Sequence, residues 1–248
     1  MKIDKIRCKS IFVSDIHLGT VESKAKLLLD SLKQYDFDEL YLVGDIIDGW
    51  KIKRGWYWHD SHTKLIKKFL KYSKNKKVVY IAGNHDEFIR DFIAEHNINI
   101  SGIEIADEVI YTANNGNKYL ITHGDKYDII IKYHKFVAVL GDIGYELLLR
   151  VNHYYNDFRR YYGFGYWSLS KFIKNKVKAA VSFITEFEEV IVDECIKQGV
   201  DGVICGHIHF PSNKIIKGIH YMNTGDFVET CSFVIETLGG DFEIKEFK

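Results

Sequence analysis

Two histidines separated by one residue, His207 and His209, follow an apolar run in the segment VICGHIHFP. Imidazole is the commonest metal ligand in proteins and a common catalytic acid or base, so this strand ending indicates a chemical site. Four other short runs of β-branched or aromatic residues also end in clusters of Asp, His, Gly or Asn. The five runs are SIFVSDIHLG (10–19), ELYLVGDIID (39–48), KVVYIAGNHDE (77–87), KYLITHGD (118–125) and GVICGHIH (202–209).

The clusters share imidazole, carboxylate and amide oxygen, a ligand set without thiolate that suits Mn, Fe, Zn or a similar divalent ion. Ligands of an open α/β sheet bind beyond the carboxyl ends of its strands, so we expect the clusters to meet. Their number exceeds one tetrahedral site and suits two ions about 3.5–4 Å apart that share a carboxylate, activate water and neutralise phosphoryl oxygens. The candidate ligands are Asp15, His17, Asp45, Asn84, His123, His207 and His209.

Each cluster by itself has an ordinary explanation. A single Asp at a strand end usually caps a helix, and a single His there is usually a hydrogen-bonded loop residue. Five such endings in one chain are difficult to explain in this way, because the specificity of a motif rises with each independent part. Together the clusters predict a two-metal site.

Strands that alternate with helices must position these clusters. Residues 22–35 and 62–73 carry apolar residues at helical spacing between the first three runs, which predicts parallel strands with right-handed crossovers. Residues 128–199 lack strand and turn alternation and predict several helices, so we expect two β-sheets flanked by helices, with one helical insertion. Later strands are predicted at 202–205, 214–217, 219–223, 231–237 and 241–247, with hairpins at Gly218 and at Gly239–Gly240.

The composition of the 248 residues is that of a soluble globular protein, with 46% hydrophobic and 27% charged residues. The 34 basic and 34 acidic residues cancel, so the net charge offers no argument for a nucleic-acid or lipid partner. Four scattered cysteines predict reduced thiols and a cytoplasmic protein. The N-terminal apolar run is too short for a signal peptide, and no run approaches the length of a transmembrane helix.

The five clusters resemble the signature of the calcineurin-like metallophosphoesterase superfamily: D-x-H, G-D-x-x-D, G-N-H-[DE], a histidine before glycine, and G-H-x-H. The chain carries them as DIH, GDIID, GNHD, HG and GHIH, between Asp15 and His209. The resemblance implies an α/β fold, a four-layer αββα sandwich of two mixed β-sheets with a helical cap. It also implies a hydrolase, in one domain over 1–248, with the cap inserted at approximately 127–183.

The resemblance further implies how the ligands divide between two divalent ions, with Mn as the expected metal and Fe or Zn as alternatives. His85 matches a family histidine that is not a ligand and that protonates the leaving group or stabilises the phosphoryl charge. A carboxylate beside its ring would hold one tautomer, and Asp86 and Asp48 are both candidates, so all three form the predicted catalytic set. One ion is assigned Asp15, His17, Asp45 and His209, and the other Asp45, Asn84, His123 and His207, with Asp45 bridging.

The insertion differs in charge from the rest of the chain. Residues 126–183 contain ten basic and four acidic residues, and 145–167 contain nine aromatic residues. These side chains either pack on the sheet with solvated lysines, or form a cap whose aromatic residues meet a lipid, a membrane interface or a base. A second aromatic cluster, DGWKIKRGWYWHD (48–60), follows the second run. The predicted substrate contacts are Trp50, Lys132, Arg159 and Arg160.

Longer segments are similar to the UDP-2,3-diacylglucosamine hydrolase branch of the superfamily: SDIHLG, GDIIDGW, HGDKYD, YWSLSKFIKNKVKAA and YMNTGDFVE. This similarity implies cleavage of a pyrophosphate in a nucleotide-linked diacyl sugar during lipid A synthesis. The partner would then be an amphiphilic phosphoester, with peripheral membrane contact through the cap. The chain departs from that branch in one motif, because it reads GNHD, with His85, where the branch reads GNRD.

Two other functions are open at this point. The first is a phosphodiesterase for soluble nucleotides or nucleic acid, which could use the same metals and stack bases on the aromatic residues of the insertion. The neutral net charge argues against a basic surface that binds nucleic acid. A metal-bearing scaffold without catalysis is the second, but such a protein is expected to have lost ligands, and every expected position is present.

Overall fold

Short runs of β-branched and aromatic residues form the strands of this protein, because such side chains pack well on a pleated surface. The computed structural model describes residues 5–52, 55, 57–90, 99–127 and 169–248, and of 99–100 and 169–182 the backbone alone. The strands in this part are β1 (Ile6–Arg7), β2 (Ser10–Val13), β3 (Tyr35–Asp36), β4 (Glu39–Val43), β5 (Lys77–Ile81), β6 (Asn99–Ile100), β7 (Ile103–Ala106), β8 (Glu108–Thr112), β9 (Lys118–Thr122), β10 (Gly202–Cys205), β11 (Ser212–Ile216), β12 (Ile219–Asn223), β13 (Ser232–Glu236) and β14 (Phe242–Glu246).

Most of these strands form two mixed sheets, as the sequence predicts. The larger has the order β14-β13-β2-β4-β5-β7-β6, and its strands β2, β4, β5 and β7 are parallel neighbours. The smaller has the order β11-β12-β10-β9-β8, with β12, β10 and β9 parallel. Strands β1 and β3 pair separately. All five clusters therefore follow strands of a parallel set, whose carboxyl ends share one edge in each sheet.

Helices cover the outer face of the larger sheet, and the two sheets pack on each other. One core cluster joins Phe12 and Tyr41 of the larger sheet, stacked at a centroid distance of 4.9 Å, to Tyr111, Ile121 and others of the smaller sheet. A second cluster places α1 and α3 against the opposite face of the larger sheet. The described helices are α1 (Ala25–Leu32), α2 (Gly49–Ile52), α3 (Asp60–Tyr72) and α4 (Leu169–Gln198), with a 3₁₀ turn at Asp125–Tyr127.

The chain passes from the larger to the smaller sheet between β7 and β8, at Asp107. No strand is predicted for this region, although IEIADEVIYT alternates apolar and polar residues as a half-buried strand does. Both predicted hairpins form. In the first, β11 and β12 pair through a turn in which Lys217 and Gly218 have φ values of 50° and 83°, as a type I′ turn requires.

Backbone contacts divide the chain into two compact units, Met1–Asp125 with Ile191–Lys248, and Lys126–Val190. The predicted cap at approximately 127–183 falls largely outside the described residues and stays a prediction, as do the substrate contacts Lys132, Arg159 and Arg160. Within the described ranges, no helix combines the length and the apolar character that crossing a membrane requires.

Candidate metal centre

The loops after β2, β4 and β10 hold their polar side chains on an unusual backbone. Left-handed φ angles cost a residue with a side chain free energy, and they persist where the surrounding structure over-determines them, often at functional sites. Of the eight non-glycine residues described with positive φ, five are predicted ligands. Their φ angles are 51° at Asp15, 49° at His17, 54° at Asp45, 71° at His207 and 53° at His209.

Asp15 is the centre of the first group of ligands. Its carboxylate Oδ1 lies 3.1 Å from Nε2 of His209 and 3.8 Å from Nε2 of His17. The other oxygen, Oδ2, accepts a hydrogen bond of 2.9 Å from the backbone N–H of His207. Asp15 thereby joins strand β2 to the loop after β10, and it brings the ligands predicted for the first ion together.

Asp45 lies between this group and the ligands predicted for the second ion. Its Oδ2 is 3.3 Å from Nε2 of His123 and 3.9 Å from Nε2 of His17. Oxygens of Asp15 and Asp45 and a nitrogen of His123 all lie within 4.8 Å of one another. The ring of His207 is 5.2 Å from that of His123. This central place suits the bridging role predicted for Asp45.

Four of the atoms that would bind metal form no hydrogen bond with the described part of the protein. Oδ1 of Asp15, Nε2 of His17, Oδ1 of Asn84 and Nε2 of His123 are buried and accept or donate no hydrogen bond among the described residues. An unsatisfied buried polar group costs about 1–3 kcal/mol. The opposite ring nitrogen of His123 contacts the Val43 carbonyl at 2.9 Å, which directs Nε2 into the centre. These nitrogen and oxygen donors fit divalent ions.

Carboxylates and imidazoles at this density shift each other's pKa. Burial lowers the pKa of His123, but Asp45 and Asp15 outweigh it and raise the pKa to about 10. The pKa values of His17 and His209 are also raised despite burial, by Asp48 and Asp15 respectively. Without metal, the His123 ring carries a proton at neutral pH, which balances part of the charge of the buried carboxylates.

Metal binding is therefore expected to release protons, because a ligand imidazole must be neutral. Below a pH of about 10, where His123 is protonated in the metal-free protein, affinity should rise with pH. Calorimetric titration with Mn²⁺ in buffers of different ionisation enthalpy measures the release. His123→Gln should reduce it by about one proton, and His59→Asn, at the N-cap of α3, should not change it. A pH-independent affinity would contradict this charge balance.

His85 lies beside the ligands and is held from several sides. Its Nδ1 is 3.2 Å from Oδ2 of Asp48, and its backbone N–H donates to Asp45 Oδ1 at 2.8 Å. The half-exposed ring of Trp50 lies against it at a centroid distance of 4.0 Å. Burial raises the pKa of Asp48, but His17 and His85 lower it to about 2, so Asp48 is ionised. Asp48 thus directs Nε2 of His85 away from itself.

Asp86 has a different environment from Asp48. It is fully buried, and its two oxygens accept hydrogen bonds from the N–H groups of Ile46 (3.0 Å) and Ile47 (2.8 Å). Burial, with Asp45 nearby, raises the pKa of Asp86 to about 7. Of the two carboxylates considered as the partner of the His85 ring, the structure therefore places Asp48 there, and Asp86 holds the loop that carries Asp45.

Several residues that support the centre are absent from the sequence analysis. Asp226 is fully buried, with Oδ2 3.7 Å from Nδ1 of His209. Ser14 Oγ contacts the Asp15 carboxylate and lies 2.6 Å from Thr224 Oγ1. The local sequence signal for Thr224 and Asp226 is the polar cluster NTGD, which ends β12 as the five clusters end their strands.

Asp125 forms a paired contact with Arg90, at 2.7 and 2.8 Å. Arg90 also donates to the Ala82 carbonyl at 2.9 Å, close to the GNHD segment. Burial raises the pKa of Asp125, but Arg90 outweighs it and keeps the pKa below its usual value. This ion pair fixes the loop after β9 to the chain that follows β5.

Gly206 is expected to be irreplaceable, because a methyl group there would lie 2.5 Å from Asp15 Oδ2 and even closer to Ser14 Oγ. Gly206→Ala should lower the free energy of unfolding by about 1–3 kcal/mol, as overpacking does, and should weaken metal binding. Chemical denaturation and metal titration measure both effects. Gly239→Ala is the control, because its new methyl group would meet only ordinary contacts at 3.6–3.7 Å. Equal results for the two variants would contradict the crowding at Gly206.

The sequence profile of the family described as "Calcineurin-like phosphoesterase" matches residues 9–211, a span that contains all five clusters. No curated protein sequence matches the chain significantly.

Solved structures resemble the fold at low sequence identity. An archaeal phosphodiesterase has 14% identity and a TM-score of 0.46, over 96% of this chain and 99% of its own. Vps29 of Entamoeba histolytica, complexed with Zn²⁺, has 12% identity and a TM-score of 0.45, over 96% and 97%. A hypothetical protein of Pyrococcus horikoshii has 8% identity and a TM-score of 0.51, over 98% and 88%. The last of these likenesses supports the fold alone.

Proposed function

This chain belongs to the calcineurin-like phosphoesterase family and is a hydrolase of phosphoester bonds, and we propose that it works with two divalent metal ions. The observation that carries this proposal is the set of buried donor atoms without partners around the Asp45 carboxylate. When bound, such a pair of ions lowers the pKa of a shared water and neutralises the oxygens of the phosphoryl group. We take Mn as the first metal to test, with Fe and Zn as alternatives.

The residues of the chain supply orientation and proton transfer. Asp15 with His17 and His209 would hold one ion, and Asn84 with His123 and His207 the other, with Asp45 shared. His85 would donate a proton to the leaving oxygen through Nε2, because its Nδ1 faces Asp48. Trp50 covers one face of the His85 ring and limits its rotation.

We propose that the substrate is a phosphodiester or pyrophosphate in an amphiphilic molecule, UDP-2,3-diacylglucosamine being the first to test. The long segments similar to that branch support this choice, as do large apolar side chains exposed beside site residues. Trp50 is 52% exposed, and Phe210, next to His209, is 50% exposed. Lys132, Arg159 and Arg160 would contact the phosphates of the substrate. The protein would be cytoplasmic, and its insertion would contact the inner face of the membrane peripherally.

Soluble nucleotides or nucleic acid are the second candidate substrates. The exposed face of Trp50 favours them, since base stacking on an aromatic side chain contributes about 1–3 kcal/mol per base. Both candidate substrates would be cleaved with the same metals and His85. They differ only in the part of the substrate that the residues around the metal centre, such as Trp50, would contact.

Hydrolysis of bis(p-nitrophenyl) phosphate by the Mn-loaded protein tests the chemistry, and a pair of matched pyrophosphates tests the substrate. We expect UDP-2,3-diacylglucosamine to exceed UDP-N-acetylglucosamine in kcat/KM by at least about 100-fold, because acyl chains contribute about 0.8 kcal/mol per buried CH₂. Trp50→Ala should lower the value for the acylated substrate, with Trp58→Ala as control. Equal values for both pyrophosphates would favour soluble nucleotides, and no hydrolysis of the diester would contradict the function.

A further inference from the structure

A cavity of about 380 Å³ lies beside the loop that follows His17, outside the metal centre. None of the predicted metal ligands lines it. Its wall includes the first turns of α1 and α3 and an aromatic residue of the 48–60 cluster. The lining residues that matter here are Lys24, Lys26, Leu27, Tyr57, His59 and His62.

The N-terminus of α1 offers free hydrogen-bond donors to this cavity. Lys24, the residue at the N-cap, makes no side-chain capping bond, and the first turn carries no acidic residue. The N–H groups of residues 25–27 have no acceptor within the described part of the chain. The first amides of a helix carry a partial positive charge and bind anions when no cap satisfies them. The first turn of α3 differs, because His59 caps it by accepting from Ser61 N–H.

A buried histidine supplies a second, independent donor. His62 is 1% exposed, and its Nδ1 accepts a hydrogen bond from the Gly19 N–H at 3.3 Å. An acceptor Nδ1 in a neutral ring places the proton on Nε2. No described residue accepts from this N–H, and burial lowers the pKa of His62, which keeps the ring neutral. The rings of Tyr57 and Trp58 meet His62 edge to face and fix its orientation.

The charge of the cavity is positive. Lys24 is exposed and forms no ion pair with the described residues. Lys26 pairs with Asp30 at 3.0 Å, and Asp30 is shared with Lys33 at 2.8 Å. The single carboxylate of the lining is thus already neutralised, and Lys24 adds an uncompensated cation next to the free amides.

We propose that this cavity is a second anion site, which binds a phosphate group through Lys24, the amides of Lys26 and Leu27 and the Nε2–H of His62. A phosphate fills only part of 380 Å³. Free phosphate and the phosphate of a nucleoside monophosphate both fit this chemistry, and the base of the latter would lie against Tyr57. The loop after β2 connects this site to the metal centre. Gly19, whose N–H donates a hydrogen bond to His62, lies two residues after the predicted ligand His17.

Amide NMR of the zinc-loaded protein titrated with inorganic phosphate tests the site directly. Signals of residues 25–27 report this cavity, whereas a phosphate at the metals shifts those of His207 and His209. We expect saturable shifts at 25–27. Lys24→Ala should weaken this binding about fivefold, as loss of one solvent-exposed ion pair does. Lys67→Ala, an exposed lysine on α3 outside the lining, should leave it unchanged.

His62→Phe removes the Nε2–H donor and should also weaken phosphate binding. If the His62→Phe variant does not fold, Lys24→Ala alone decides the result. A parallel titration with uridine monophosphate separates the sources: tighter binding with shifts at Tyr57 identifies a nucleotide, and equal binding without them identifies free phosphate. Either result supports the site. Absence of saturable shifts at 25–27, or equal affinity in Lys24→Ala and Lys67→Ala, would overturn it.

Discussion

Asp45→Asn is expected to abolish the binding of both metal ions and, with it, hydrolysis. A change in an outer partner of a metal ligand already lowers affinity about 10–100-fold, so loss of a shared charged ligand should exceed this for both ions. Asparagine tolerates the φ of 54° at this position and retains an oxygen for the His85 N–H. The variant therefore removes charge with little change of backbone. Metal content by mass spectrometry and turnover of bis(p-nitrophenyl) phosphate measure the result.

Ligands of a single ion provide the comparison for Asp45. His207→Gln should weaken one ion and His209→Gln the other, and each variant should retain the remaining ion. His209 contacts Asp15 at 3.1 Å, and the ring of His207 lies beside that of His123, which places the two histidines in different groups. If Asp45→Asn bound two ions with unchanged affinity, Asp45 would not be the bridge.

His85→Asn is expected to keep both ions and lose most turnover. A positioned general acid contributes about 10²–10⁴-fold, and we expect kcat to fall by that factor. The leaving group distinguishes this role from a structural one. A p-nitrophenolate needs little protonation, so its release should fall much less than that of an alkoxide or nucleotide leaving group. Metal content should equal that of the unchanged protein.

His59→Asn is the matched control, because His59 lines the separate cavity and has no contact with the predicted ligands among the described residues. Asp48→Asn should reproduce part of the loss, since Asp48 orients the His85 ring at 3.2 Å. A His85→Asn enzyme whose loss is the same for every leaving group would argue against proton donation.

Much of the fold could be predicted from the sequence because its signals are local. Buried strands such as β2, β4 and β5 are continuous apolar runs, and the helices between them have apolar residues at helical spacing. The strands β7 and β8 were not predicted. They lie in different sheets, and only long-range pairing with β5 and β9 distinguishes their short alternating run from a loop.

The sequence by itself determined the reaction class and the residue types that form the metal centre, because five separate motifs each carry candidate ligands at strand ends. Only the tertiary structure decided which neighbouring carboxylate serves His85. Asp48 and Asp86 are equally plausible in the chain, but Asp86 is directed by buried backbone amides of Ile46 and Ile47. It also decided that the first turn of α1 and His62 line one cavity, although 34 residues or more separate them. Side-chain direction depends on backbone angles and distant packing, which no local pattern records.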